Sequence, residues 1–176
     1  MKRISALVLS AAFFSTIFAG ASQPSPNPHS EMKKQDFFAG TWRLEGTTRA
    51  SPFGPGGQKF NSTEQLEWMP GGLVLVAHSY ADGKLVEVTI IGYDPKEKVF
   101  THRTFKSTGE REIWKGTAEH GSWTWTRDET VKGKRIKDRL TIKKTAADSY
   151  SFIDEMQPEG GKWSTVAEGT GIKTKG

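Results

Sequence analysis

Arg127 and Asp138 are the residues whose spacing offers the sharpest chemistry. They flank Lys132-Gly133 symmetrically, as two strands of a hairpin would. A turn there sets Val131 opposite Lys134, Arg127 opposite Asp138, Trp125 opposite Leu140 and Trp123 opposite Ile142. The alternate positions are Arg135, Lys137, Arg139 and Lys143, which belong in water. The tryptophan row therefore faces inward and carries Arg127 and Asp138 with it. Two readings follow. A guanidinium in an apolar pocket can grip a ligand carboxylate or phosphate. Alternatively, the pair satisfies itself across the strands, with desolvation cancelling much of the attraction.

Two further acids fall among aromatics. Asp154 alternates with Tyr150, Phe152 and Met156, and Glu64 with Phe60, Leu66 and Trp68. An inward acid there has a raised pKa and can donate or accept a proton. A bulge that turns it to solvent, or an Arg partner, removes that property. His102, between Phe100 and Thr104, is expected inward beside Lys115, as a general base, a haem ligand or a hydrogen-bonded core histidine. His78 is expected opposite Glu87 on the outer face. The histidines, at 29, 78, 102 and 120, lack the paired spacing of a zinc site. There is no P-loop, nucleophile elbow or dinucleotide fingerprint. With no Cys, the chain forms no disulfide, thiolate metal site or lipidated cysteine.

The elements that must position these residues are strands. Turn signals recur at Pro70-Gly71-Gly72, Asp82-Gly83, Asp94-Pro95, Thr108-Gly109, His120-Gly121, Lys132-Gly133, Ala147-Asp148 and Glu159-Gly160-Gly161. They delimit about ten strands: 40–49, 60–69, 73–81, 85–93, 99–106, 111–118, 122–131, 135–144, 149–157 and 162–170. No gap holds a crossover helix, so successive strands are antiparallel neighbours. Closure removes the exposed edges, which predicts an all-β, up-and-down barrel. A short helical turn over 31–38 is expected to pack Met32, Phe37 and Phe38 across one end. The Gly/Pro-rich connection from Ala50 to Lys59 is expected to cover the mouth. Counting around Asp82-Gly83 aligns Leu75, Ala77 and Ser79 with Ile90, Val88 and Val86. Around Glu159-Gly160, Tyr150, Phe152, Asp154 and Met156 align with Gly169, Ala167, Thr165 and Trp163.

The N-terminus reads as an address. Lys2-Arg3, an apolar run over Ile4 to Phe18 and Ala19-Gly20-Ala21 predict a signal peptide over 1–21, cleaved before Ser22. A disordered linker over 22–32 and a single barrel domain over 33–176 follow. The formal charge of +5 falls by two with Lys2 and Arg3, and the remaining bases are interleaved with acids. Neither a nucleic-acid partner nor stable membrane insertion after cleavage is expected. An exported domain without disulfides fits a periplasmic or secreted bacterial protein.

The stretch Phe38-Ala-Gly-Thr-Trp-Arg-Leu-Glu-Gly46, the exported N-terminus and the meander resemble the bacterial proteins classed as domain of unknown function 1579. The resemblance runs from Lys33 to the C-terminus. Those proteins in turn resemble the calycin superfamily of lipocalins, fatty-acid-binding proteins and nitrobindins. In lipocalins the Trp of Gly-x-Trp plugs the closed end of the barrel beneath a basic residue near the last strand. The resemblance implies that role for Gly40 and Trp42, with Lys173 as the basic residue. Nitrobindins bind haem through a His on a late strand; no His follows His120 here, so no haem or other cofactor is expected. The resulting expectation is an exported barrel that binds a small apolar or amphipathic molecule. Arg127, Asp138, Trp123, Trp125, Asp154 and His102 are its candidate ligand-binding residues. The alternatives are a small enzyme using Asp154, His102 or Asp138, and an envelope interaction module using the outer face or the Ala50–Lys59 loop.

Overall fold

A computed structural model describes residues 29–131 and 133–174. A 3₁₀ helix, Ser30–Phe38, precedes ten strands: β1 Gly40–Thr48, β2 Lys59–Trp68, β3 Leu75–Ala81, β4 Lys84–Asp94, β5 Val99–Lys106, β6 Arg111–Glu119, β7 Ser122–Val131, β8 Lys134–Ala146, β9 Ser149–Pro158 and β10 Ser164–Lys173. The segment read as a signal peptide and most of the segment read as a linker lie outside the described residues. The helix begins inside the linker span, and Met32, at its end, is core.

Each strand pairs antiparallel with its sequence neighbour, and β1 pairs with β10, so the sheet is a closed ten-stranded barrel. This is the expected up-and-down architecture. Because directions alternate, the helix and the turns after β2, β4, β6 and β8 share one rim. The 49–58 loop and the turns after β3, β5, β7 and β9 share the other. The 49–58 loop folds on itself through a Ser51–Gly54 bridge. It is held against β10 by the Arg49 N–H donating to Val166 O at 2.8 Å and by an Arg49–Glu168 ion pair.

The β7–β8 register has Arg127 opposite Asp138, Trp125 opposite Leu140 and Trp123 opposite Ile142, as the turn count requires. Two other hairpins differ. Between β3 and β4 the register shifts at Ser79/Tyr80, so Leu75 faces Ile91, Ala77 faces Thr89 and Ser79 faces Glu87. A β-bulge adds one residue to one strand, and a one-residue slip exchanges the two faces. Glu87 therefore points inward, while His78 lies opposite Val88. Between β9 and β10, Tyr150 faces Gly171, Phe152 faces Gly169 and Asp154 faces Ala167, with an irregularity between Thr165 and Ala167. That two-residue displacement keeps the inward face. Trp163 falls just before β10, with Arg139 stacked over its ring at 4.2 Å.

One end is plugged by aromatics. The helix repeats every three residues, as 3₁₀ geometry does, and it buries Met32, Gln35 and Phe38 on one side. Trp42 is wholly buried, and its indole N–H donates to Phe38 O at 2.7 Å. Phe37 stacks on Trp123 at 5.4 Å, and Phe38 meets the same ring edge-on at 4.6 Å. Lys173 Nζ lies 5.3 Å from the Trp42 ring centre. Gly40, at φ +118°, occupies backbone space unfavourable to L side chains, and a Cβ there would meet Lys173 Cε at 2.7 Å. Gly116 and Gly171 serve a different purpose. The rings of Trp125 and Tyr150 lie flat against them, where any Cβ would overlap ring atoms.

Candidate functional site

Above the plug the barrel encloses a cavity of about 210 Å³. Its wall is mainly apolar, with Leu66, Ala77, Ile91, Trp125, Leu140 and Phe152 among its residues. Flattened rings and small residues keep the interior from filling, although ten strands could carry enough side chains to close it. The polar groups on the wall are few. Glu64, Ser79 and Glu87 form a row across β2, β3 and β4, each directly opposite the next. Ser79 Oγ donates to Glu87 Oε1 at 3.3 Å. Thr89 and Thr104 share a hydrogen bond at 2.8 Å and so satisfy each other. At the plug end Gln35 is wholly buried, and neither its amide oxygen nor its nitrogen has a partner. His102 also lines the cavity, between Ile91 and Trp114 in register, with Nδ1 unpartnered. Lys115 instead pairs with Glu97 outside.

These surroundings set the charges. Burial, reinforced by the charge of Glu87, raises the Glu64 carboxyl to about 7. Burial also raises Glu87, opposed by Lys106 and the Ser79 hydrogen bond. Burial lowers His102 to about 4, so the imidazole is neutral at physiological pH. The Tyr150 hydroxyl is raised by burial and by the charge of Glu64.

A second polar assembly lies inside β5–β9, nearer the other rim. Arg127 holds Asp138 Oδ2 through Nε at 2.9 Å and Nη2 at 2.8 Å. Its Nη1 reaches Glu112 Oε1 at 2.7 Å, and Nη2 reaches Glu129 at 3.3 Å. Its guanidinium lies 4.4 Å from the Trp114 ring centre, and the Trp114 indole N–H donates to Glu112 Oε2 at 3.1 Å. Lys106 pairs with the same Glu112. Burial would raise Glu112, but Lys106, Arg127 and Trp114 outweigh it and hold the carboxyl below its ordinary range. Burial would likewise weaken the charge on Arg127; Glu112, Asp138 and Glu129 together reverse that. Asp154 is pushed up by burial first, then by the charge of Asp138 and a hydrogen bond with it. Oδ1 of each aspartate otherwise lacks a partner.

The structure thus divides the six candidates. His102 and Trp125 line the cavity. Arg127, Asp138 and Asp154 come together in the ionic assembly, and Trp123 belongs to the plug stack. Glu64, marked as an inward acid, is on the cavity wall. Gln35 and Glu112 carry no expectation from the sequence, and Glu87, expected on the outer face opposite His78, lies instead on the cavity wall opposite Ser79. Counting back from His120-Gly121, where Glu119 faces Ser122 and Lys115 faces Thr126, carries the signal for Glu112. The three-residue spacing of Met32, Gln35 and Phe38 carries it for Gln35. Glu87 was masked by the bulge. Among the described residues no group of three or more His, Cys, Asp or Glu could hold a metal ion.

The fold and this interior define a closed ten-stranded barrel with a largely apolar cavity. No family model matches the chain, and no curated protein does. Solved structures do match. One is a protein of unknown function from the DUF3598 family of Nostoc punctiforme, at TM-score 0.55 and 10% identity, covering 88% of this chain and 53% of that one. The chain therefore spans about half the length of that neighbour. Another is Rv2717c of M. tuberculosis, at TM-score 0.53 and 10% identity, covering 85% of this chain and 100% of that one. At these identities the likeness is one of fold, compatible with a lipocalin-like barrel.

Proposed function

We propose that this chain is an exported, lipocalin-like carrier or sensor barrel that holds one small apolar or amphipathic molecule. The carrying observation is the cavity of about 210 Å³, enclosed by a barrel with no open edge and lined chiefly by apolar and aromatic side chains. It is smaller than the roughly 300–1,000 Å³ usual for drug-sized ligands, so its occupant is small. Kinship with the domain of unknown function 1579 proteins and the calycins belongs to this proposal. Its support is Gly40-Thr41-Trp42 at the plugged rim, with Lys173 above the indole. Export rests on the charged, apolar and small-residue order of residues 2–21. No helix among the described residues is long and apolar enough to cross a membrane. The proposal assigns no haem, metal or nucleic acid. Of Asp154, His102 and Asp138, His102 is on the cavity wall, while Arg127 holds Asp138 in the ionic assembly.

Native mass spectrometry of protein purified from a bacterial envelope fraction without denaturation tests both parts. The expected spectrum shows a polypeptide beginning at Ser22 with a bound small molecule that leaves on collisional activation. Protein that is always empty, and that takes up no apolar probe, would sink the binding reading. An intact Met1 would sink cleavage.

A further inference from the structure

We infer that the cavity is built for a small amphipathic amine, whose cationic nitrogen sits against Glu64 and Glu87 and whose apolar body packs on the aromatic wall. This deepens the binding reading above and rests on it.

The geometry first disfavours an anion. Arg127, the inward guanidinium, is committed to Glu112, Glu129 and Asp138 and does not line the cavity. Lys106 stands opposite Glu87 in register, but its ammonium is paired with Glu112. A ligand carboxylate or phosphate would meet two acids on the wall and no uncommitted cation among the described residues. A fatty-acid mode of binding, with Arg127 as the anchor, is thereby disfavoured.

The same geometry favours a cation. Among the described residues neither Glu64 nor Glu87 makes an ion pair within 4.0 Å, although both face a largely apolar enclosure. Two carboxylates on one largely apolar wall, in a row with Ser79 between them, are costly when both are ionised. One positive charge between them removes the repulsion. In the empty barrel a proton can do this, and an ammonium does it while adding charge-assisted hydrogen bonds. The rings of Trp125, Tyr150 and Phe152 line the same cavity and supply its aromatic wall.

Gln35 is the independent sign that a ligand belongs here. A wholly buried amide with both hydrogen-bonding atoms unpartnered is expensive, and this one lies on the cavity wall, on the helix that plugs the barrel. Its oxygen accepts what an amine donates, and its nitrogen donates to a second heteroatom. A metal ion is poorly served by the same wall, which presents carboxylates without a metal-binding cluster. An organic cation with an apolar body uses every part of it.

The test compares octylamine, octan-1-ol and octanoate, which share a tail and differ in the head. Each is titrated into the refolded, delipidated full-length mature chain at pH 8, with binding read calorimetrically and by tryptophan fluorescence. The same titrations are run on Glu64→Gln, Glu87→Gln and the double variant. These substitutions preserve shape and remove repulsion, so the fold is kept. Octylamine is expected to bind about tenfold or more tightly than octan-1-ol, with octanoate weakest. The double variant is expected to lose that preference while its affinity for octan-1-ol stays unchanged. Octan-1-ol or octanoate binding as well as octylamine would overturn the amine assignment and leave the carrier reading standing. So would an amine preference that survives in the double variant. Failure of all three probes to bind would overturn both.

Discussion

Glu64 shows how one side chain in this barrel couples structure to pH. Its neighbours across the cavity are Ser79 and Glu87 on β3 and β4 and the Tyr150 phenol on β9, none of which is cationic. Its folded pKa, about 7, stands above its ordinary 4.5. The folded state therefore binds more protons than the unfolded state between these values, and stability falls as pH rises through that window. Below it the penalty is absent; above it the penalty is complete. At about 1.4 kcal/mol per pH unit, it amounts to about 3–4 kcal/mol. Glu64→Gln should therefore stabilise the empty protein by about that amount at pH 8 and by little at pH 4. Urea unfolding at the two pH values measures it; an equal effect at both would show that the carboxyl is not held above its ordinary range. His102 acts at the acid end. Its folded pKa, lowered to about 4, costs stability as pH falls below 6.5, because only the unfolded chain takes up that proton.

The strands make the cavity as much by what they omit as by what they carry. On β6 and β10 the inward positions opposite Trp125 and Tyr150 are Gly116 and Gly171, and the rings lie down where a side chain would stand. Gly116→Ala should push the indole of Trp125 into the cavity. The expected cost is about 1–3 kcal/mol, with weaker binding of any cavity probe and a changed tryptophan emission. Unchanged thermal stability and emission would mean that the sheet yields instead of the ring. The elements also explain what could be read beforehand. The β7–β8 hairpin was legible to the residue because its turn is tight and its ladder uninterrupted from Ser122 to Val131. The same count failed by one residue at β3–β4, because a bulge has no distinct signal in Leu75–Ala81. That single residue moved Glu87 from the surface to the cavity. Gln35 escaped notice because a polar residue between Met32 and Phe38 reads as solvent-facing unless the helix has a three-residue pitch. Arg127 and Asp138 share one hairpin, whereas Glu112, which also claims Arg127, is reached only by a separate count across His120-Gly121.

At the scale of the molecule, the seam between β1 and β10 joins the two ends of the chain as regularly as any hairpin. Seven residue pairs run from Trp42–Lys173 to Thr48–Ala167, and the Thr174 N–H donates to Thr41 O at 2.8 Å. Nothing in this pairing depends on which strand comes first. A circular permutant that joins Thr174 to Ser30 through a flexible linker, and opens the chain within residues 50–57, should fold with its cavity intact. That loop contributes no cavity wall. Far-ultraviolet circular dichroism and probe binding would check it; a permutant that fails to fold would show that closing the barrel depends on the original chain order.

The two chain ends have a further consequence for orientation. Both the start of the helix, where His29 stacks on Tyr93, and the end of β10, where Lys173 lies over Trp42, are at the plugged rim. A tether attached ahead of Ser30 or beyond Thr174 therefore leaves from the base. Fixed to a sensor chip or a fusion partner on that side, the barrel would stand on its plugged rim, with the 49–58 loop and the turns after β3, β5, β7 and β9 facing away from the support.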